Sequence, residues 1–567
     1  MPLRPTYMMT RTWPVAFAFA IFVALPAFAD GPTSVASPSA QPPAYQQLYD
    51  GLGDVHHPVT TKSPQAQKYF DQGLAFNYGF NHDEAYQSFS TAAQLDPEMA
   101  MADWGVALVL GPNYNLPGND ERMKIAYGAI QRAQSLVTSR DAAAKPEEKA
   151  LIEALAKRYG SDGKQTPERE KAYADAMRAV AHKYPDDPDV QALFAESLMD
   201  LHPWALWTAD GKPGPETVEL VWTLETTLKK YPNHLGANHY LIHAVEASPH
   251  PERALASAKR LASLAPAQGH IVHMPSHIYS RIGAYHEASE ANVAAIKSDQ
   301  TFLQLSHETG VYPVMYATHN IDFLFYDEMM EGRKRDAIKT ARDLEDAVPP
   351  AIVQQMPMLE VMSPKLYFAM ARFGAWDEIL AELAPRKEFA YTNAMWHYAR
   401  GLAFAAKGKF DDAEAEKKAL DVSAASVPAD LETGPNNKAR DVTKLASTIL
   451  AGTIASDHGD HSEAIRDFTE AVREQDALGY NEPPSWYYPV RETLGAELLA
   501  DKKIAAAEKV YRDDLKKNPE NPRSLYGLAQ TLRAEGKNDE AAKVQHRFTI
   551  AWSHSDVTLA PITMAAQ

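Results

Sequence analysis

Two histidine pairs share one internal spacing: His239 with His243 in "ANHYLIHAVE", and His273 with His277 in "HIVHMPSHIYSRIG", which follows 34 residues later. On a helix, residues four apart share a face, so each pair points two imidazoles the same way. Imidazole suits zinc, copper, iron or nickel. Two i, i+4 pairs with carboxylates nearby have the donors and spacing of helical zinc sites and of dinuclear sites in helical bundles. The chain has no cysteine, which excludes thiolate ligands, disulfides and cysteine nucleophiles. Any metal must therefore be held by His, Asp, Glu or Met. No phosphate-binding glycine loop, nucleophile elbow or dinucleotide fingerprint occurs to offer a different chemistry.

The elements that would position these rings follow from an internal repeat. In "QAQKYFDQGLAFNYGFNHDEAYQSFSTAAQLDP" the residues Tyr69, Gly73, Phe76, Ala85, Phe89, Ala92 and Pro97 alternate small and aromatic side chains over two helix-length segments. Small residues let antiparallel helices approach, aromatics fill between them, and the proline stops the second helix. The register returns at Gly495, Ala507, Tyr511 and Pro519, and again at Leu525, Ala529, Leu532, Gly536 and Ala541. Between them Gly374, Gly408 and Gly459 mark turns ahead of a second helix. This pattern resembles the tetratricopeptide repeat (TPR) superfamily. The resemblance implies an all-α, right-handed TPR-type solenoid; about eleven or twelve helix pairs fit the length, and no strand is needed. The stretch "HMPSHIYSRIGAYHEA", paired with "NHYLIHAVE", is also similar to segments of exported bacterial TPR proteins, a likeness that implies fold and compartment but no reaction.

If Pro266 closes one repeat, both histidine pairs occupy the fifth and ninth places of a first helix. In TPR solenoids, the resemblance implies, those places line the concave face. Packed helices lie about 8–10 Å apart, a gap that imidazoles on both sides can span. All four rings are thus expected in one groove, holding one or two transition-metal ions. The same register brings Glu246 three residues after His243, then His319 and Asp322 from the next repeat, and Glu196 with Asp200 and His202 from the previous one. His239, His243, His273, His277, His319 and Asp322 are the candidate metal ligands, and Glu246 and Glu196 the candidate general bases.

Two stretches exceed ordinary helix-to-helix turns. "LHPWALWTADGKPGPE" (201–216) brings Trp204 and Trp207 to wall the groove, and 301–317, within "TFLQLSHETGVYPVMYATHN", is expected to be a lid. His56 and His57 read as a helix entry, and His234, His250, His270 and His286 as turn residues facing solvent. His307 keeps the 34-residue interval but falls in the insertion. Trp486, Tyr487 and Tyr488 of "EPPSWYYPVRETLG" read as packing at a repeat boundary, and Asn113 and Asn115 as turn residues.

The formal charge of −18, with both signs interspersed, disfavours a nucleic-acid or anionic-membrane partner. Residues 1–29 have the form of an export signal: Arg4 and Arg11 precede an apolar run that ends in Ala27-Phe28-Ala29. Residues 30–62 read as a Pro/Ser/Ala-rich tether and lead-in, 63–300 as N-terminal repeats with the histidine groove, 318–555 as C-terminal repeats and 556–567 as a tail. The expected product is a periplasmic or secreted solenoid with no stable membrane span after cleavage. It holds zinc, copper or iron in its groove and acts, if it is an enzyme, on a small substrate. Two further functions remain open, a scaffold binding a peptide or protein partner and a metal buffer or carrier. A metal-free polar groove and purely structural histidines are the competing readings of the pairs.

Overall fold

Helix hairpins build the chain because each amphipathic segment starts at a cap and stops at a turn. In the computed structural model, which describes residues 47–139 and 144–563, the first helix spans Pro64–Tyr78. The Ser63 hydroxyl accepts from the Ala66 N–H and proline opens the first turn, so an orphan donor is satisfied and the missing proline N–H costs nothing. Asp187 ahead of Pro188 and Asn521 ahead of Pro522 repeat the device. At the other end, Gly408 turns in the left-handed region, with φ +69°, where other residues are strained.

The repeat signature is visible as packing. Phe89, on the helix His82–Leu95, lies against Gly73 and Gly105 of the helices before and after it, where a Cβ would come within 2.8 Å and 2.4 Å of its ring. At the far end Tyr511 nests in the same way between Gly495 and Gly527. Successive helices pack as hairpins throughout, giving an all-α solenoid. The described residues belong to one compact unit, Val35–Gln567. Its apolar interior forms two main clusters, one running from Leu52 to Tyr316 and the other from Phe325 to Val544. The helix Ala317–Glu331 lies between them in sequence.

Three features differ from expectation. A two-stranded hairpin, Glu432–Gly434 with Asn437–Lys438, interrupts the helices. Residues 301–317 form no free lid loop: the helix Tyr285–Ser306 runs on through the first six of them, and Tyr312–Tyr316 winds directly into Ala317–Glu331. Buried Phe302, Tyr312 and Tyr316 anchor it to the N-terminal core, so apolar periodicity inside the insertion decides its fate. The cover comes from elsewhere. The hairpin and the loop 479–485 are tied together by Asn437, which accepts from the Gly479 N–H at 2.7 Å and donates to its carbonyl at 3.0 Å. Asn436 then reaches the Trp204 carbonyl at 3.0 Å. The proposed signal and the tether as far as residue 46 lie outside the described residues, and no described helix is long and apolar enough to cross a membrane.

Candidate metal centre

Two helices and the start of a third carry the site. All residues of Leu235–Glu246 are buried; such a helix has no solvent face on which to leave its polar side chains. The next helix is Gly269–His273 continued by Pro275–Arg281, with Met274 between them in helical geometry. Pro275 removes one backbone donor but leaves His273 and His277 on a common face. His319 sits in the first turn of Ala317–Glu331.

The rings gather in two groups. His239, His243 and His270 each offer one nitrogen within 4.8 Å of the others, and His273, His277 and His319 do the same. The structure therefore keeps His239 with His243 and His273 with His277, as the spacing requires, but adds His270 to the first pair and His319 to the second. His270 was expected to face solvent; it is 2% exposed because it lies in the first turn of a helix whose N-terminus is itself buried. His234 is likewise drawn in, bonding Asp189 at 3.0 Å, whereas His250 and His307 are exposed. His286 is partly exposed and pairs with Glu331 at 2.9 Å.

Hydrogen bonds on the outer nitrogens set the direction of the inner ones. His239 Nδ1 lies 2.6 Å from the Tyr78 carbonyl, which can only accept, so Nδ1 carries the hydrogen and Nε2 a lone pair. His273 Nδ1 donates to Asn292 Oδ1 at 2.5 Å, since the amide NH2 of Asn292 is spent on Ala288 and Asp327. Glu246 takes two more rings: one oxygen accepts from His243 Nδ1 at 3.1 Å, the other from His277 Nδ1 at 2.7 Å. Glu482 also pairs with His277 Nδ1. Carbonyl, amide and carboxylate acceptors behind an imidazole are the arrangement that orients metal-binding histidines.

The inner nitrogens are left facing one another. His273 Nε2 and His277 Nε2 are 2.7 Å apart, and His239 Nε2 and His270 Nε2 3.1 Å. Lone pairs at such distances repel unless a proton or a cation lies between them; in the metal-free protein the charged His277 donates its Nε2 hydrogen to His273, and a cation that displaces this proton would meet both lone pairs. His243 Nε2 is buried without a hydrogen-bond partner, a costly state for a polar atom that water or a ligand does not reach. Burial, then the charge of His277, hold His243 and His319 down to about 3. Burial and neighbouring imidazoles keep His239, His270 and His273 well below the ordinary value. These rings are neutral at pH 7, the form that ligates. His277 is the exception: burial opposes its charge, but Glu482 and Glu246 outweigh it and raise it to about 10. Glu482 is raised to about 7 by burial and by Glu246, against the pull of His277.

Above the rings lies a cavity of about 600 Å³. His243, His270, His277 and His319 form part of its wall; Trp204, Phe368 and Tyr391 supply apolar surface, and the 428–435 and 481–485 segments cover it. Trp204 stacks on Tyr114 with centroids 5.6 Å apart, while Trp207 only anchors its loop to the Ala244 carbonyl. Asn115 lines the cavity, and Asn113 turns away to His82.

Three expected residues take other roles. Asp322 reaches the cavity but pairs with Lys365 at 2.7 Å, a cation from a helix whose position no local spacing reveals. Glu196 stands apart from both histidine groups, in a buried network with Asp200 and Arg158; burial, then Asp200, raise it to about 8. Glu246 has both oxygens engaged by imidazoles, so it orients rings rather than standing free as a base. Sequence reasoning missed His270 and Glu482. A third imidazole three residues before His273, and so on the same helical face, was readable from spacing alone; Glu482, more than 200 residues from its partner, carried no local signal. Trp486, Tyr487 and Tyr488 are buried as expected of a repeat boundary.

No family model and no curated protein matches the chain. Among solved structures it is similar to the human IFIT1 dimer with m7Gppp-AAAA, at 15% identity over 87% of this chain and 91% of that one, TM-score 0.33. It is also similar to the APC/C hetero-tetramer Cut9-Hcn1, at 11% identity over 87% and 88%, TM-score 0.26.

Proposed function

We propose that this solenoid binds a transition-metal ion in its buried chamber, with His273, His277 and His319 as ligands and Glu246 and Glu482 orienting His277. The single observation that carries the reading is the facing pair of Nε2 atoms on His273 and His277, each with its outer nitrogen already bonded to an acceptor. Imidazole donors without thiolate favour zinc, copper or iron over calcium and magnesium. When bound, such an ion would polarise a small molecule admitted to the cavity or lower the pKa of a water there. The chain's own share is to hold the rings in place, with His277 giving up its proton to the ion, to shield the site with the 428–435 and 481–485 cover, and to present Lys365 and Asp322 to a polar end of the guest. Burial of the imidazoles speaks against an open groove for an extended peptide. A carrier lacks turnover, so substrate-dependent turnover requiring the metal separates an enzyme from a carrier. An export signal at residues 1–29 would place the work in the periplasm or outside the cell, and the intact mass of exported protein should then begin at Asp30.

Equilibrium dialysis tests the binding. Demetallated full-length protein should take up zinc or copper, and a folded His243→Ala, His277→Ala double variant should take up far less. Equal uptake by both would end the metal reading.

A further inference from the structure

The second group of imidazoles is not needed to hold one ion, yet two of its three rings are oriented through their outer nitrogens. His239 and His243 come from Leu235–Glu246, and His270 from the head of the next helix. Their donor nitrogens lie within 4.8 Å of one another. His239 presents the Nε2 lone pair, because the Tyr78 carbonyl holds its Nδ1 hydrogen. His243 presents a buried and unpartnered Nε2, because Glu246 holds its Nδ1. His270 is held at its backbone N–H, which donates to the Tyr312 hydroxyl at 3.0 Å, and that hydroxyl donates to Asp299; its ring turns Nε2 to within 3.1 Å of His239 Nε2, while its buried Nδ1 has no partner. Phe80 lies against all three rings, with centroids 4.6, 5.6 and 5.7 Å away, and closes the far side with apolar surface.

We infer that His239, His243 and His270 form a second metal seat, so that the chamber floor is a dinuclear centre with three imidazoles to each ion. The inference rests on the metal reading above. Its distinguishing observation is Glu246. One oxygen steadies His243 of the second seat and the other His277 of the first, so a single carboxylate sets the orientation of one ring in each seat. The two groups adjoin: His243 and His277 have centroids 5.8 Å apart, and His270 and His273 6.0 Å. Both groups reach the cavity wall, through His243 and His270 on one side and His277 and His319 on the other, so a small molecule in the chamber would face both ions. The class of ligand is a borderline divalent cation that imidazole nitrogen suits, such as Zn(II) or Cu(II).

The test counts ions. Demetallated full-length protein is dialysed against Zn(II), and bound metal is measured per chain, with circular dichroism confirming the fold of each variant. The wild type should bind two equivalents; His270→Ala and His319→Ala should each bind one. One equivalent in the wild type, unchanged by His270→Ala but lost in His319→Ala, overturns the second seat and leaves the first standing. No bound zinc in the wild type overturns both. Should a variant fail to fold, the wild-type count still decides.

Discussion

Two repeat units of the same chain make opposite use of their first helices. In the C-terminal hairpin Pro522–Ala534 with Asn538–Ala551, one face is buried and the other is wet; only Ala541 and Val544 of the second helix are fully buried. Leu235–Glu246 is instead buried on every side and still carries Asn238, His239, His243 and Glu246. An amphipathic hairpin needs only small and aromatic residues in register. A helix enclosed all round must find partners for its polar groups inside the protein; those found are backbone carbonyls, carboxylates and other imidazoles, and His243 Nε2 is left over. The lesson is that repeat packing builds the frame, while polar residues inside an enclosed helix mark the place where the frame departs from its own rule.

Breaking a buried ion pair in each region gives the largest expected effects and separates frame from site. His277→Ala leaves Glu246 and Glu482 buried without their cation, and should cost the metal-free protein about 3–5 kcal/mol in urea denaturation as well as metal uptake. Arg372 pairs with Glu492 at 2.5 Å in the C-terminal cluster. Arg372→Met should cost a similar amount while metal binding per folded chain stays at the wild-type value; a loss of binding there would mean that the two regions are coupled.

Next is the frame itself. A Cβ at Gly527 would lie 2.2 Å from the Tyr511 ring, so Gly527→Ala should destabilise by about 1–3 kcal/mol through overpacking. Gly408 has nothing within 4 Å of a new Cβ, and Gly408→Ala should cost only about 1 kcal/mol for its left-handed backbone. Comparable midpoints for the two would contradict the packing role.

Smaller again is a pH effect at the entry to the solenoid. His57 Nδ1 donates to Asp189 at 3.0 Å; burial opposes its charge, but Asp189 raises it to about 9 from 6.5. A raised folded-state value means stability present in full below pH 6.5 and lost as pH climbs through 9. The urea midpoint of wild type should therefore fall over that window relative to His57→Gln, and parallel curves would remove His57 from the account. The exposed His250 should be nearly neutral, with His250→Ala within about 0.5 kcal/mol and metal uptake unchanged.

The helical frame and the pairing of histidines were legible because both are local periodicities. Gly73 with Phe89, and His239 with His243, obey spacings that a helix imposes within one hairpin. The rest depends on contacts that close over long distances. His270 lies in a first turn, and first turns face solvent unless, as here, the helix N-terminus is covered; Gln268 beside it donates to the Leu52 and Ala75 carbonyls of the lead-in and the first helix. Asp322 has the spacing of a ligand but meets Lys365, 43 residues on. Glu482 and the 432–438 hairpin reach the site only because the C-terminal repeats fold back over it. The stretch at 301–317 reads as a lid by length, yet its aromatic residues bury it as helix.

The central claim is that buried imidazole nitrogens converge on a metal, and X-ray absorption at the zinc edge of the reconstituted full-length protein tests it most directly. The account predicts a first shell of nitrogen at about 2.0–2.1 Å with the multiple scattering of imidazole rings, reduced in His273→Ala. A shell of oxygen alone, or an imidazole signal unchanged in both His273→Ala and His270→Ala, would contradict it.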